Sequence, residues 1–524
     1  MLNTAATIIQ RWFMRMQAIY ELQGSISINE ICGQLSGEKT WHPEETTRQR
    51  VKLKDDFSRH LWRAGYVLFE SSDNQDLTLW CCDGRSISVP NAAGARFWWE
   101  LEPGELRDVL RRHLDVCAFT TWGEVVFTTE QGAILNRDEK TVLRLEFRTV
   151  EHDEQPSVSM VALWALRGYE KHFAEMCRVL RKHGYLEHKT FSLHHMLKQA
   201  GIPVSMPLSP TPFNLDPQEP VSTALCDMAK HLLDVARQYE SGIIADTDTE
   251  FVHQYRVNMR KLRSLLKQGK KVFDPRHGKI LRIELKQMAS STGALRDLDV
   301  FILDTYTFKD LLPEELRPGL EQVRSRLKRK RNRALTRVCR NLESEAYAEQ
   351  IKNCEELLDM AKNSDSAPNG ADIPVLAFAA TKIVRQYRRL CADTRKISHK
   401  STDEELHSVR IQVKQLRYLL DLFQELLPAK EACFLIRRLK KLQDRLGGFN
   451  DVVVQRRFIN DLLQHDKLSE PERDTLNGLS AIMFQKYLKE RECLGQDMSD
   501  FCTGKIRKNL KKISGLIPKQ QKGA

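Results

Sequence analysis

Two stretches of the sequence place a histidine and three long cations along an otherwise apolar helix. HSVRIQVKQLRYLLDLF (407–423) carries His407, Arg410, Lys414 and Arg417; FVHQYRVNMRKLRSLL (251–266) carries His253, Arg256, Arg260 and Arg263. At about 100° per residue, with His253 at about 0°, the arginines fall at roughly 300°, 340° and 280°. On the same wheel Val252, Tyr255, Met259, Leu262 and Leu266 fall between about 180° and 260°. Leu406, Val409, Val413, Leu416 and Leu420 take the same arc in the second stretch. Each helix therefore has a core stripe with a basic stripe beside it. Solvated helices usually intersperse acids among bases, because pairs four residues apart relieve like-charge repulsion. The stripe positions hold none. Uncompensated bases of this kind suit an anion, and arginine offers phosphate oxygens a planar fork of short, charge-assisted bonds. A histidine adds a donor, and a further charge when protonated. The opposing reading is that the arginines extend from the core face and pair with acids elsewhere, Asp297, Asp299 and Asp451 being candidates. Both readings hold together if the aspartates orient some arginines and leave the outer ones free.

The two stripes belong to a repeat. His253 and His407 are 407 − 253 = 154 residues apart. The same offset aligns Arg256 with Arg410, Arg260 with Lys414 and Arg263 with Arg417. It also aligns Lys286 with Lys440, Gly293 with Gly447, Asp297 with Asp451 and Val300 with Val454. One gap-free offset across that span predicts two copies of one helical unit packed together. Asp297 and Asp451 become the expected orienting acids.

More basic material surrounds them. RSRLKRKRNRALTRVCR (324–340) contains no acid, KIVRQYRRLCADTRK (382–396) carries Arg385, Arg388 and Arg389, and IRRLKKLQDR (436–445) carries Lys440. The net charge is +12 over 524 residues. That excess favours a polyanionic partner without choosing among nucleic acid, polyphosphate and an anionic surface. Nucleic-acid binding stays open, but there is no helix-turn-helix signature, zinc finger or RNP-like aromatic pair. No stretch reads as a membrane span or a clean signal peptide, which predicts a cytoplasmic protein. The 12 cysteines form no CxxC pair, and Cys81 and Cys82 are adjacent, so reduced thiols are expected rather than a zinc site.

The elements that must position these groups divide the chain. Residues 1–200 read as an α+β domain with strand-like runs in DLTLWCC, EVVFTTEQGAILN and KTVLRLEFRTV. Residues 201–220 are rich in proline and read as a linker. Residues 221–510 read as all-α, with repeat units at about 221–362 and 373–510. Helices are expected near 222–241, 249–268, 279–290, 314–357, 371–391, 403–425, 430–444, 449–464 and 472–491. A second break is expected at 363–372 and a basic tail at 511–524.

The doubled H-x-x-R-x-x-x-(R/K)-x-x-R pattern, each copy followed by G-x-x-x-D, resembles the CHAD family. The resemblance covers roughly residues 221–510. It implies two related helical bundles around a basic cavity, inorganic polyphosphate as the ligand, and association with polyphosphate granules. Carried residue by residue, it implies polyphosphate contacts from His253, Arg256, Arg260, Arg263, His407, Arg410, Lys414 and Arg417, with Arg385, Arg388, Arg389 and Lys440 added from the surrounding basic runs. The N-terminal half is weakly similar to a CYTH domain, a β-barrel tunnel that hydrolyses triphosphates, through LRLEF (143–147) and LRGYE (166–170). In such a tunnel Lys140, Arg144 and Arg148 share one strand face with Glu146. That family's opening E-x-E-x-K is absent; YELQGSISINE offers Glu21 and Glu30 at another spacing. The expectation is therefore non-enzymatic polyphosphate binding with no cofactor, no catalytic residue and no metal ligand. Under the triphosphatase alternative, Mg²⁺ or Mn²⁺ would be bound, with Glu146 as a ligand.

Overall fold

The computed structural model describes residues 17–22, 31, 34–35, 38–81, 84–151, 158–189, 192–202, 204, 206–363, 371–398, 401–499 and 504–517. Glu30, Cys82, residues 364–370 of the second break and residues 518–524 of the tail lie outside them. The chain divides into two compact units that meet in sequence at Pro207 and Leu208.

The first unit is built on an antiparallel sheet. Its strands are β1 (Gln17–Leu22), β2 (Thr40–Asp55), β3 (Val67–Ser71), β4 (Leu77–Trp80), β5 (Ser86–Val89), β6 (Thr120–Leu135), β7 (Thr141–Glu151), β8 (Val158–Ala165) and β9 (Leu186–His188). They pair in the order β5-β4-β3-β2-β6-β7-β8-β1-β9. Among the described residues four α-helices accompany them: α1 (His60–Arg63), α2 (Glu105–Leu114), α3 (Glu170–Lys182) and α4 (Leu193–Gln199). Strand residues alternate between faces. Tyr20, Leu143, Leu145, Val161 and Leu163 pack with Phe173, Met176 and Leu180 of α3. Ile19, Val51, Leu53, Met160 and Ala162 pack with Leu193, Met196 and Leu197 of α4. The Arg148 guanidinium on β7 lies 4.7 Å from the ring centroid of Trp80 on β4. Three strands separate these two in the sheet, which if flat would hold them about 19 Å apart at roughly 4.8 Å per strand. The sheet therefore curls strongly round the face that carries Arg144, Glu146 and Arg148. No pairing of β5 with β9 occurs among the described residues.

The strand-like runs expected at 76–82, 124–136 and 140–150 are β4, β6 and β7. The sequence reading did not single out β2. The first half of TWHPEETTRQRVKLKD is exposed almost throughout, so it has no apolar alternation to read.

The second unit contains α5 (Val221–Arg237), α6 (Glu240–Ile244), α7 (Thr249–Gln268), α8 (Pro275–Ser291), α9 (Gly293–Leu311), α10 (Arg317–Leu342), α11 (Glu345–Lys362), α12 (Val375–Thr394), α13 (Asp403–Phe423), α14 (Ala429–His465), α15 (Glu470–Ser499) and α16 (Gly504–Gly515). Helix starts recur at the offset read from the stripes: 221 + 154 = 375, 249 + 154 = 403 and 275 + 154 = 429. The start of α9 maps to 293 + 154 = 447, inside α14. At the first position the chain turns at Thr292, which is buried and whose hydroxyl donates to the Ala289 carbonyl. Leu446 stands at the equivalent place, 292 + 154 = 446, and α14 runs on through it. The separate helices expected at 430–444 and 449–464 are accordingly one. The single helix expected at 314–357 is instead α10 and α11, divided where the Ser344 hydroxyl caps Tyr347.

The starts of α5 and α12 also meet reciprocally. The Val221 N–H donates to Ile373 O at 2.9 Å, and the Val375 N–H donates to Glu219 O at 3.0 Å. Donors and acceptors are both related by 154 residues, the pattern of a two-fold, self-complementary contact. Part of the expected linker is tied to this unit: the Glu425 carboxylate accepts the backbone N–H groups of Phe213, Asn214 and Leu215. At the other end, Ile513 and Ile517 are buried, so the first half of the expected tail is packed.

Candidate anion-binding site

Side-chain caps set the start of both stripe helices. Asp248 accepts the Glu250 N–H at 2.8 Å and opens α7; Thr402 and Glu405 form a reciprocal capping box that opens α13. The apolar arc of each helix then points inward: Val252, Tyr255, Met259, Leu262 and Leu266 are buried, as are Leu406, Val409, Val413, Leu416 and Leu420. α7 packs against α13. The basic stripes beside those arcs are brought together by that packing.

The cations of one stripe act on those of the other. Burial, then Arg410 and Arg260, push the Lys414 ammonium down to about 8. Arg260 also opposes the charge on Arg410, after burial. Burial, then Arg296, Arg260, Arg256 and Lys414, push His253 down to about 4. Five cations and one imidazole therefore share one field.

Their partners sort them into two groups. Arg256 donates to the Ala289 carbonyl at 2.6 Å and the Thr292 hydroxyl at 3.1 Å. Arg410 lies 3.8 Å from Asp451. Arg417 pairs with Asp421 at 3.4 Å and donates to Gln443 at 3.0 Å. Asp421, one turn beyond the stripe, was not among the expected acids. Asp297 draws on Arg256 and Arg296 electrostatically without an ion pair among the described residues. Asp299 is not a stripe partner, because Arg331 occupies it at 2.7 Å. In contrast, Arg260, Arg263 and Lys414 have no ion pair among the described residues, and the buried Nε of Arg260 has no hydrogen-bond partner. Three bases of the eight-residue set are thus held in place but left open.

The two histidines differ. His407 is exposed and its Nδ1 lies 3.1 Å from Asn450 Oδ1. His253 is half-buried beside Arg296 and, at neutral pH, uncharged. Arg296 was missed in the sequence reading. The repeat could have found it, since 296 + 154 = 450 places it opposite His253 as Asn450 stands opposite His407. A cavity of about 280 Å³ opens beside the second stripe, lined by His407, Arg410, Asn450 and Arg457 together with Asp403 and Glu404.

The unliganded His253 imidazole is expected to titrate near pH 4 rather than at its ordinary 6.5, and to shift upward when phosphate occupies the cleft. Its folded value lies below its unfolded one, so stability should fall as pH drops from 6.5 through 4. Long-range ¹H–¹⁵N NMR reads both midpoints; a midpoint near 6.5 without ligand would place the ring in water.

Arg385, Arg388 and Arg389 are exposed on α12, and Lys440 is exposed on α14. In the acid-free run 324–340, Arg324 pairs with Glu321, Arg326 with Glu472, Lys330 with Asp466, and Arg331 with Asp246 and Asp299, whereas Lys328, Arg329, Arg333, Arg337 and Arg340 are exposed without an ion pair among the described residues. In the sheet unit, Glu146 accepts from Gln131 at 2.9 Å and pairs with Arg148, while Arg144 pairs with Glu44. Lys140 lies in the turn before β7.

Residues 227–460 match the family model of the CHAD domain. The helical unit carries a CHAD domain. Both stripes, Arg296, Asp297 and Asp451 lie inside the matched span. Two uncharacterized proteins of Mycobacterium tuberculosis, from strains CDC 1551 / Oshkosh and ATCC 25618 / H37Rv, are each 28% identical over 263 residues, covering 49% of this chain and 47% of theirs. The chain thus spans about half the length of the curated relatives it matches. Among solved structures, the CHAD domain of the plant Ricinus communis gives a TM-score of 0.46 at 21% identity, covering 58% of this chain and 96% of that one. PptA from Streptomyces chartreusis gives 0.40 at 14%, covering 53% and 98%. A Hippeastrum protein described as revealing a dominant triphosphatase activity gives 0.25 at 14%, covering 37% and 100%. No helix among the described residues is long and apolar enough to cross a membrane.

Proposed function

We propose that the CHAD domain binds inorganic polyphosphate, without turning it over, between its two stripe helices. The carrying observation is that Arg260 and Lys414, 154 residues apart, act on each other electrostatically, partly buried and with no ion pair among the described residues. Like charges so placed destabilise the empty protein, and a polyanion relieves that repulsion. Arginine and lysine at this spacing suit successive phosphate groups, and the paired Arg256, Arg410 and Arg417 act as a rigid second rank. On this reading the helical unit is two copies of one bundle, and polyphosphate granules are where it acts. The sheet unit is a CYTH-like sheet without catalysis, its Glu146 committed to Arg148 and Gln131 rather than to Mg²⁺ or Mn²⁺.

The test is direct binding of the full chain to long-chain polyphosphate across a salt series, with charge-matched RNA as competitor and phosphate release followed with Mg²⁺. Salt-sensitive binding, weak competition by RNA and no release are expected. Displacement by RNA at equal charge would assign the cleft to nucleic acid, and metal-dependent release would assign chemistry to the sheet unit. Replacing Arg385, Arg388 and Arg389 by glutamine is expected to weaken binding by less than roughly tenfold, since exposed charge contacts are worth about 0–1 kcal/mol each.

A further inference from the structure

We infer that the sheet unit carries a metal site: Glu21, His188 and His195 hold one divalent ion of the zinc class. Nothing in the polyphosphate reading requires it, and the ligands lie on other elements. Glu21 is on β1, His188 on β9 and His195 on α4. The β1–β9 register sets Ile19 opposite His188, which places His188 on the same sheet face as Glu21, one step along. α4 covers that face, its Ser192 cap fixing the His195 backbone through the bond from His195 N–H to Ser192 Oγ at 3.2 Å.

The atoms converge. Nε2 of His188 lies 3.0 Å, and Nε2 of His195 2.7 Å, from the same Glu21 Oε2. All three ligand atoms lie within 4.8 Å of one another. An ion about 2.0–2.2 Å from each ligand, the usual zinc distance, fits between them after shifts of a few tenths of an ångström. Burial supplies the second argument. Glu21 is only 7% exposed and has no lysine or arginine partner among the described residues. A buried carboxylate needs a countercharge. One dication between the ligands satisfies the carboxylate, and the two imidazole rings, with centroids 4.9 Å apart, each have a ring nitrogen within reach of it.

The donor set selects the ion. Two imidazoles and one carboxylate suit Zn²⁺ and its transition-metal neighbours; Mg²⁺ prefers oxygen and water. Three protein ligands leave a fourth position, and the histidine side chains keep 26% and 33% of their exposure, so that position faces solvent. The ion clips β1, β9 and α4 together at one end of the sheet.

The test uses untagged full-length protein stripped by chelator. Calorimetry with Zn²⁺ is expected to show about one tight equivalent that excess Mg²⁺ does not displace and that H188Q/H195Q lacks. E21Q is expected to weaken it by at least the roughly 10–100-fold typical of losing a second-shell partner. Because a variant can misfold, Co²⁺ is bound to the wild type and its visible spectrum recorded. Ligand-field bands without thiolate charge transfer are expected. Equal zinc stoichiometry in wild type and folded double variant, or cobalt bound through cysteine sulfur, overturns the site.

Discussion

Replacing Arg260 and Lys414 together by methionine is expected to lower affinity for long-chain polyphosphate by roughly 100- to 10,000-fold, taking about 1.5–3 kcal/mol for each charge-assisted contact. The same variant is expected to unfold at a higher temperature than the wild type when no ligand is present. Arg260 has a buried Nε without a partner, and burial with its cationic neighbours holds Lys414 near 8. Methionine fills similar space and removes both liabilities. Titration calorimetry and thermal unfolding read the two effects separately. A variant that loses stability as well as binding would make these bases structural, and unchanged binding would sink the cleft as the site. The pH dependence has a definite sign. Phosphate favours charged Lys414, so binding takes up protons and weakens as pH rises through about 8.

The second large effect concerns stability alone. Glu472→Ala is expected to cost about 3–5 kcal/mol, the usual price of breaking a buried pair. Its carboxylate takes a two-pronged bond from Arg326, Nε to Oε1 at 2.8 Å and Nη2 to Oε2 at 2.7 Å. It also accepts the Ser469 N–H at 2.8 Å. The side chain keeps 4% of its exposure. Arg326 lies on α10 and Glu472 on α15, so the pair joins helices 146 residues apart in sequence. These bonds, chiefly the one from Arg326, pull Glu472 down to about 2 from its ordinary 4.5. The stabilisation is therefore complete above pH 4.5 and is lost as pH falls toward 2. Denaturant unfolding of E472A, R326A and the double variant checks it; additive losses would deny the coupling.

Both expectations began in features of unequal legibility. A stripe with helical period is local, so Arg260 and Lys414 could be placed on one face from sequence, and the constant offset identified their counterparts. Ion pairs between distant elements carry no such signal. Nothing near Arg331 announces Asp246, 85 residues away, or Asp299, 32 away. The run around Arg331 therefore reads as wholly open basic surface when Arg324, Arg326, Lys330 and Arg331 within it are paired. Glu21 lies 167 and 174 residues from its histidines, and no spacing rule reaches that far. Helix starts were read at the caps Asp248 and Thr402, but the polar cap at Ser344 was passed over. They were misread at Gly447, where composition suggested a break that Leu446 and its neighbours bridge. Asp421 was overlooked for a simpler reason: it falls one turn past the last base considered.

The reciprocal bonds between Val221 and Ile373 and between Val375 and Glu219 have a consequence for the ligand's direction. A receptor whose halves exchange under a two-fold rotation presents nearly the same groups to a chain entering from either end. Inorganic polyphosphate has no head or tail, so both orientations are the same complex. A nucleic acid strand has a 5′ and a 3′ end, and reversing it misplaces every sugar. On the proposed reading the cleft therefore suits a polymer without polarity. Where the halves have diverged, with Arg296 against Asn450 and a covered His253 against an open His407, a chain can still be held more firmly at one end and threaded from the other.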